Sequence, residues 1–157
     1  MIKVLLVCLG NICRSPTAHG LFQAQVEQAG LVETILVDSA GTGDWHIGRP
    51  PDKRAQATAK QRGYDISHLQ ARQVSRADFE EFDYILGMDR ENMHNLRQLA
   101  PVNYQGTLGL FLAVAGVGDL EVPDPYYGDQ AHFDDAINLV EKGAAGLLEQ
   151  IRRTHDL

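Results

Sequence analysis

Close to the amino end, Cys8-Leu9-Gly10-Asn11-Ile12-Cys13-Arg14-Ser15-Pro16 follows directly on an apolar run and leads straight into a helix start. A loop in that position can turn its backbone amides inward as an anion-binding nest, helped by the positive end of the helix behind it. Gly10 and Asn11 tolerate the left-handed turns this needs. Arg14 stands at the helix mouth, where a planar guanidinium can grip two oxygens of a phosphoryl group in a geometry that lysine cannot match. Cys8 stands at the opposite end of the loop. A thiol facing amides, a helix terminus and an arginine has its charged form stabilised by every neighbour, and a thiolate is a strong nucleophile. The chemistry implied is attack on phosphorus through a phosphocysteine intermediate.

Such a loop must be presented by regular elements. Ile2 to Val7 is continuous, β-rich and apolar, the pattern of a central strand covered on both faces. Ser15-Pro16 predicts a helix start, with serine as cap and proline at the first helical position. Ala18, Leu21, Phe22, Val26 and Ala29 then follow helical spacing up to Gly30. The alternation repeats: a strand over Thr34 to Asp38, a helix over Asp52 to Arg62, a strand over Phe82 to Met88, and a helix from about Asp89 to Leu99. A fourth strand is expected within Gly106 to Leu112, and an amphipathic helix from about Gln130 to Arg153. This pattern predicts an α/β fold: a single-domain, three-layer sandwich spanning 1-157, with a four-stranded parallel sheet and helices on both faces. In open parallel sheets ligands bind beyond the carboxyl ends of the strands, where strand order reverses, so the loop after the first strand is the expected site.

Composition narrows the choices. A chain of 157 residues, 44% hydrophobic and 22% charged, is long enough for one ordinary core and has no disorder signature. The net charge of -7 argues against nucleic-acid or anionic-membrane partners. No apolar run approaches a membrane span, and no cationic leader precedes the first strand, so a cytoplasmic protein is expected. Cys8 and Cys13 are too few for a disulfide framework or a four-cysteine zinc site. Cys13 reads as a half-buried hydrophobe, with a reversible disulfide to Cys8 as the alternative. The histidines at 19, 46, 68, 94, 132 and 155 are too scattered for a metal signature and read as solvated surface positions. No metal and no cofactor is expected.

The combination of Cys-x5-Arg-Ser at the amino end with Asp124-Pro125-Tyr126-Tyr127-Gly128 far downstream resembles the low-molecular-weight protein tyrosine phosphatase family. Asp38-Ser39-Ala40-Gly41-Thr42, Ala71-Arg72-Gln73-Val74 and Phe82 to Asp89 extend the resemblance in order and spacing over essentially the whole chain. It implies hydrolysis of phosphotyrosine in which Cys8 attacks, Arg14 binds the transferring phosphoryl group, and Asp124 first protonates the leaving phenolate and then activates water. Leu9, Gly10, Asn11, Ile12, Cys13 and Ser15 complete the phosphate loop. Asn11, Ser15, Ser39 and His68 form its supporting network, although the Leu69-Gln70 stretch after His68 is one residue longer than in some relatives. Trp45, His46, Tyr126 and Tyr127 form the pocket rim. Isoleucine at position 12, where arginine phosphatases carry threonine, points to phosphotyrosine. The implied partners are tyrosine-phosphorylated proteins and a bacterial tyrosine kinase acting in opposition, with the enzyme itself a monomer.

Blander readings exist for each residue. Cys8 alone is a small core residue at a strand end, Asp124-Pro125 alone is a turn, and Trp45, Tyr126 and Tyr127 read equally well as packing residues. Two other functions compete. An arsenate reductase can use the same loop but usually needs further thiols, and no cysteine follows Cys13. A phosphotyrosine-binding module needs neither a nucleophile nor a leaving-group acid.

Overall fold

The computed structural model describes residues 1–157. The elements run β1 (Ile2–Cys8), α1 (Arg14–Gln28), β2 (Ile35–Gly41), α2 (Lys53–Gln61), α3 (Asp78–Glu81), β3 (Tyr84–Gly87), α4 (Arg90–Leu99), β4 (Thr107–Leu110), α5 (Phe111–Val114) and α6 (Gln130–His155). The four strands pair in parallel in the order β2-β1-β3-β4.

Val4 to Val7 of β1 are fully buried, which explains why this strand reads as an unbroken apolar run rather than an alternation. Val4 and Leu6 face the larger core, shared with Leu21 and Phe22 of α1 and with Val140 and Leu147 of α6. Leu5 and Val7 face the smaller core, shared with Phe79 of α3 and with Met93 and Leu96 of α4. Helices therefore cover both faces of the sheet, as the alternating pattern predicts.

The order of strands places the site. From β1 the chain moves to β2 on one side and then crosses to β3 on the other, so strand order reverses at β1. A crevice opens at such a point beyond the strands' carboxyl ends. Cys8, the last residue of β1, lies there, in register with Gly41 of β2.

Three local expectations are corrected. The helix after the first loop begins at Arg14, so Pro16 lies inside its first turn rather than at its first position, and Ser15 does not cap it; its hydroxyl is engaged by Cys8 and Asn11 instead. The four-residue helices α3 and α5 are too short to leave a periodic signal. Phe82 caps α3, so that β3 starts only at Tyr84, and β2 runs on past Asp38 to Gly41, whereas β4 lies within the range expected for it.

The long helix α6 approaches α5 closely because two of its positions lack side chains. A Cβ at Gly143 would lie 2.4 Å from the Phe111 ring, and one at Gly146 would lie 2.3 Å from the Ala115 carbonyl oxygen. Glycine to alanine inside a helix ordinarily gains about 0.5–1 kcal/mol. At Gly146 the contact is with backbone that cannot swing aside, and overpacking costs about 1–3 kcal/mol. Gly146→Ala is therefore expected to lower unfolding free energy by roughly 1–2 kcal/mol in urea titration. Equal or greater stability would show that α5 moves freely.

Candidate active site

The loop from Cys8 to Ser15 closes around its own amides. Those of Leu9, Gly10, Ile12, Cys13, Arg14 and Ser15 find no acceptor within the protein, whereas Asn11 N–H donates to Cys8 Sγ at 3.3 Å. Asn11 makes the turn with φ at 55°, the left-handed region the sequence predicts for it. Its side chain works in both directions: Nδ2 donates to Ser15 Oγ at 2.7 Å, and Oδ1 accepts from the Arg72 amide at 3.0 Å. Ser15 Oγ in turn lies 3.0 Å from Cys8 Sγ. With Nδ2 donating to that hydroxyl, its proton has two acceptors within reach, Cys8 Sγ at 3.0 Å and the Ala40 carbonyl oxygen at 3.4 Å, of which sulfur is the nearer.

Neighbouring segments hold the loop through its carbonyls. Thr42 N–H donates to Cys8 O and Gly43 N–H to Leu9 O, each at 2.9 Å, while Asp52 N–H donates to Ile12 O at 2.8 Å. Gly41 stands against this backbone: a Cβ there would lie 2.7 Å from Leu9 O and 3.1 Å from Asn11 N. Only glycine fits the strand end that packs on the loop.

Arg14 is buried, with its guanidinium reaching from α1 across the mouth of the loop. Nη1 donates to Asp89 Oδ2 at 2.5 Å and to Val122 O at 3.1 Å, and Nη2 lies 3.4 Å from Asp124 Oδ2. Burial works against its charge, but Cys8, Asp89 and Asp124 outweigh burial and raise its pKa further above the ordinary arginine value. Tyr126 N–H donates to Asp124 Oδ1 at 3.1 Å, which orients that carboxyl.

A cleft of about 390 Å³ opens over the loop. Cys8, Leu9, Gly10, Ile12, Cys13 and Arg14 form its floor, Asp124 its side, and Trp45, His46, Tyr126 and Tyr127 its walls. Trp45 and Tyr127 are 66% and 95% exposed, so they are rim rather than core. Tyr126 and Tyr127 meet edge to face with centroids 4.9 Å apart. All the residues expected to react, and all four expected at the rim, thus converge on one space. Cys13 is buried, and burial, with Asp52 next, pushes its thiol well above the ordinary range.

The supporting network differs in part from the expectation. Asn11 and Ser15 occupy it, but Ser39 bonds His19 Nδ1 at 2.9 Å, and His68 is exposed and makes no hydrogen bond. His19, expected on the solvated surface, is half-buried; burial pushes its imidazole down to about 4, opposed by Asp38 and reinforced by His68. Sequence reasoning missed three supports: Asp89 on Arg14, the Arg72 amide on Asn11, and the Asp52 amide on Ile12. Asp89 had a signal, since it follows β3, the neighbour of β1, at the binding edge of the sheet. The two amide contacts had none, because a backbone donor carries no residue type.

Comparison with known proteins adds a further finding. Residues 3–157 match the family model described as low molecular weight phosphotyrosine protein phosphatase. The low molecular weight protein-tyrosine-phosphatase of Streptomyces coelicolor is 43% identical, over 96% of this chain and 93% of its own. The Bacillus subtilis protein YfkJ, of the same description, is 41% identical over the full length of both, and its crystal structure superposes with a TM-score of 0.91 over 98% of this chain and 96% of its own. A protein tyrosine phosphatase from Entamoeba histolytica, crystallised with Hepes in the active site, superposes with a TM-score of 0.93 at 35% identity over 99% of each chain.

Two outcomes follow from this geometry. Both thiols are buried on the cleft floor, but burial holds Cys13 protonated, so iodoacetate is expected to alkylate Cys8 and spare Cys13, with inorganic phosphate protecting Cys8; peptide mapping by mass spectrometry checks this, and preferential labelling of Cys13 would contradict it. His19 is neutral in the native state down to about pH 4, whereas the unfolded chain takes up that proton near 6.5. Between those values the unfolded state binds more protons, so this contribution to stability is complete above pH 6.5 and is lost as pH falls toward 4. His19→Gln should therefore flatten the dependence of the denaturation midpoint on pH in that window. An unchanged slope would show that His19 does not carry it.

Proposed function

The chain belongs to the low molecular weight phosphotyrosine protein phosphatase family and is a protein tyrosine phosphatase, and from that premise we propose that Cys8, Arg14 and Asp124 carry its reaction. The observation that supports this most is their convergence, with Trp45, Tyr126 and Tyr127, on one cleft of about 390 Å³. A phenyl phosphate needs that depth and those flat walls to bring its phosphorus to the loop, whereas a phosphoserine would stop short of the floor.

In the first step the Cys8 thiolate attacks phosphorus while the bond to the phenolic oxygen breaks. Asp124 gives its proton to that oxygen, and tyrosine leaves neutral. Phosphorus is then bonded to Sγ. In the second step water attacks phosphorus as the Asp124 carboxylate takes its proton; the P–S bond breaks, releasing phosphate and restoring the thiolate. Ser15 Oγ, 3.0 Å from Sγ, favours sulfur as the leaving group by donating to its returning charge. Arg14 and the inward amides meet the phosphoryl oxygens in both steps, and because they are fixed before substrate arrives, little reorganisation is needed in the transition state.

Asp89 and Val122 O take up Nη1 of Arg14, which leaves Nε and Nη2 for substrate oxygens, Nη2 exchanging its 3.4 Å contact with Asp124 for the phosphoryl group. Asp89 is thus a positioning residue for Arg14. Arsenate reduction is not favoured, since it calls for resolving thiols that the chain lacks beyond Cys13. The substrate assigned is a tyrosine-phosphorylated protein, replenished by a tyrosine kinase. A compartment that keeps thiols reduced, such as the cytoplasm, suits a free-thiolate nucleophile.

Steady-state kinetics separates the roles. Cys8→Ser is expected to abolish hydrolysis of both p-nitrophenyl phosphate and free phosphotyrosine. Asp124→Ala should lower kcat/KM for phosphotyrosine by roughly 10²- to 10⁴-fold, and for p-nitrophenyl phosphate by less, because nitrophenolate is a good leaving group without a proton. Turnover surviving in Cys8→Ser, or equal losses on the two substrates in Asp124→Ala, would overturn these assignments.

A further inference from the structure

On the far side of Trp45 lies a second cleft, of about 370 Å³. Leu9 and Trp45 line both spaces, so the indole is a partition rather than an outer wall. The ring keeps that place because residue 43 has no side chain: a Cβ on Gly43 would stand 1.9 Å from it. Beyond the indole the cleft runs between Gln73 and the α4 residues Asn95 and Gln98.

Its chemistry is unlike the rest of the surface. The chain is 22% charged, yet no acidic, basic or histidine side chain lines this cleft. What lines it instead is carboxamide. Gln73 Nε2 donates to Thr42 O at 3.2 Å, and Gln98 Nε2 lies 3.2 Å from His94 Nε2. Gln73 Oε1, Gln98 Oε1 and the whole Asn95 carboxamide have no protein partner. A carboxamide offers both a donor and an acceptor, as a peptide unit does, so three of them around an apolar floor match the main chain of an extended peptide.

Given the reading of the first cleft as the phosphotyrosine pocket, we infer that the second cleft binds the peptide segment adjoining the phosphotyrosine in a protein substrate. The continuity of the two spaces carries the inference. A tyrosine ring seated against Trp45 leaves its own main chain at the rim, and extended residues advance about 3.3 Å each, so one to three residues cross the indole edge. There Asn95, Gln98 and Gln73 hydrogen-bond the main chain. The cleft favours uncharged flanking side chains, because an aspartate or glutamate placed in it would lose hydration without meeting a cation.

Kinetics with three substrates tests this. p-Nitrophenyl phosphate and free phosphotyrosine occupy only the first cleft, whereas a phosphotyrosyl peptide with three uncharged residues on either side can occupy both. In the wild type the peptide is expected to have a higher kcat/KM than free phosphotyrosine. In the double variant Asn95→Ala, Gln98→Ala it should lose on the order of tenfold, the equivalent of one or two peptide hydrogen bonds, while the two small substrates keep their values. That retention also shows the variant to be folded. Peptide and small substrates falling together, or the peptide losing nothing, would overturn the inference. Absence of wild-type hydrolysis of all three would overturn the phosphotyrosine reading beneath it.

Discussion

A loop that aims its amides at an anion cannot use the same amides to hold its own shape. Between Cys8 and Ser15 six N–H groups have no protein acceptor, so the rigidity that helices and strands obtain from their ladders must come from elsewhere. It comes from carbonyls and from one side chain. Thr42, Gly43 and Asp52 donate to the outward carbonyls, and Asn11 spans the interior, tied to Ser15 at one end and to the Arg72 amide at the other. The left-handed turn at Asn11 costs on the order of 1–2 kcal/mol for a residue with a side chain; those two buried hydrogen bonds offset it, each worth about 0.5–1.5 kcal/mol. Asparagine suits the position because glycine would make the turn but not the bonds.

The same constraint explains why Arg14 is buried rather than waving at the surface. Burying a guanidinium costs several kcal/mol unless its donors and charge are answered. Asp89 and Val122 O answer them from β3's end and from the segment leading to Asp124. The arrangement draws three chain segments, distant in sequence, onto one cation: the loop, the turn after β3, and the residues around Val122 and Asp124. Electrostatics therefore organises the site, while hydrophobic burial on the two faces of β1 organises the scaffold beneath it. Gly41 joins the two levels, since its bare Cα lets β2 run against the loop backbone.

Much of this was legible in the sequence because the signals were local. An apolar run that ends in cysteine, a glycine and asparagine turn, an arginine and a Ser-Pro helix start place strand, nest and helix between Ile2 and Pro16. The sheet and its helices followed from periodicity. What stayed hidden has a physical pattern: the short helices α3 and α5 lack enough turns to show a period, and main-chain donors such as the Arg72 and Asp52 amides leave no trace in residue type. His19 escaped for another reason. Taken alone, a histidine four residues beyond Ser15 reads as solvent-facing, and only the packing of α1 on β2 brings it to Ser39. His68 shows the converse, a residue placed by resemblance whose side chain stays outside the network.

The rim is coupled to the floor by a short chain of contacts. Asp52 N–H holds the Ile12 carbonyl of the loop, and its carboxylate holds Arg54 at 2.8 to 3.1 Å. Arg54 lies over the rings of Tyr126 and Phe133, 5.5 and 4.8 Å from their centroids, and Tyr127 packs edge-on against Tyr126. Each exposed contact is weak because water screens it, but they act in series on one coordinate, the height of the Tyr126 ring above the loop. In the proposed reaction that height would set whether a phenyl phosphate can rest on the aromatic wall and reach the sulfur at once. Trp45, by contrast, has room for its ring because Gly43 carries no side chain, so the two walls differ in kind: one is tethered to the loop from Cys8 to Ser15, and the other divides two clefts. Under the proposed reading, a tethered wall would fix the depth of the reacting group and a partition would govern what lies beside it, so that one chemistry and the choice among peptides rest on different sides of the same pocket.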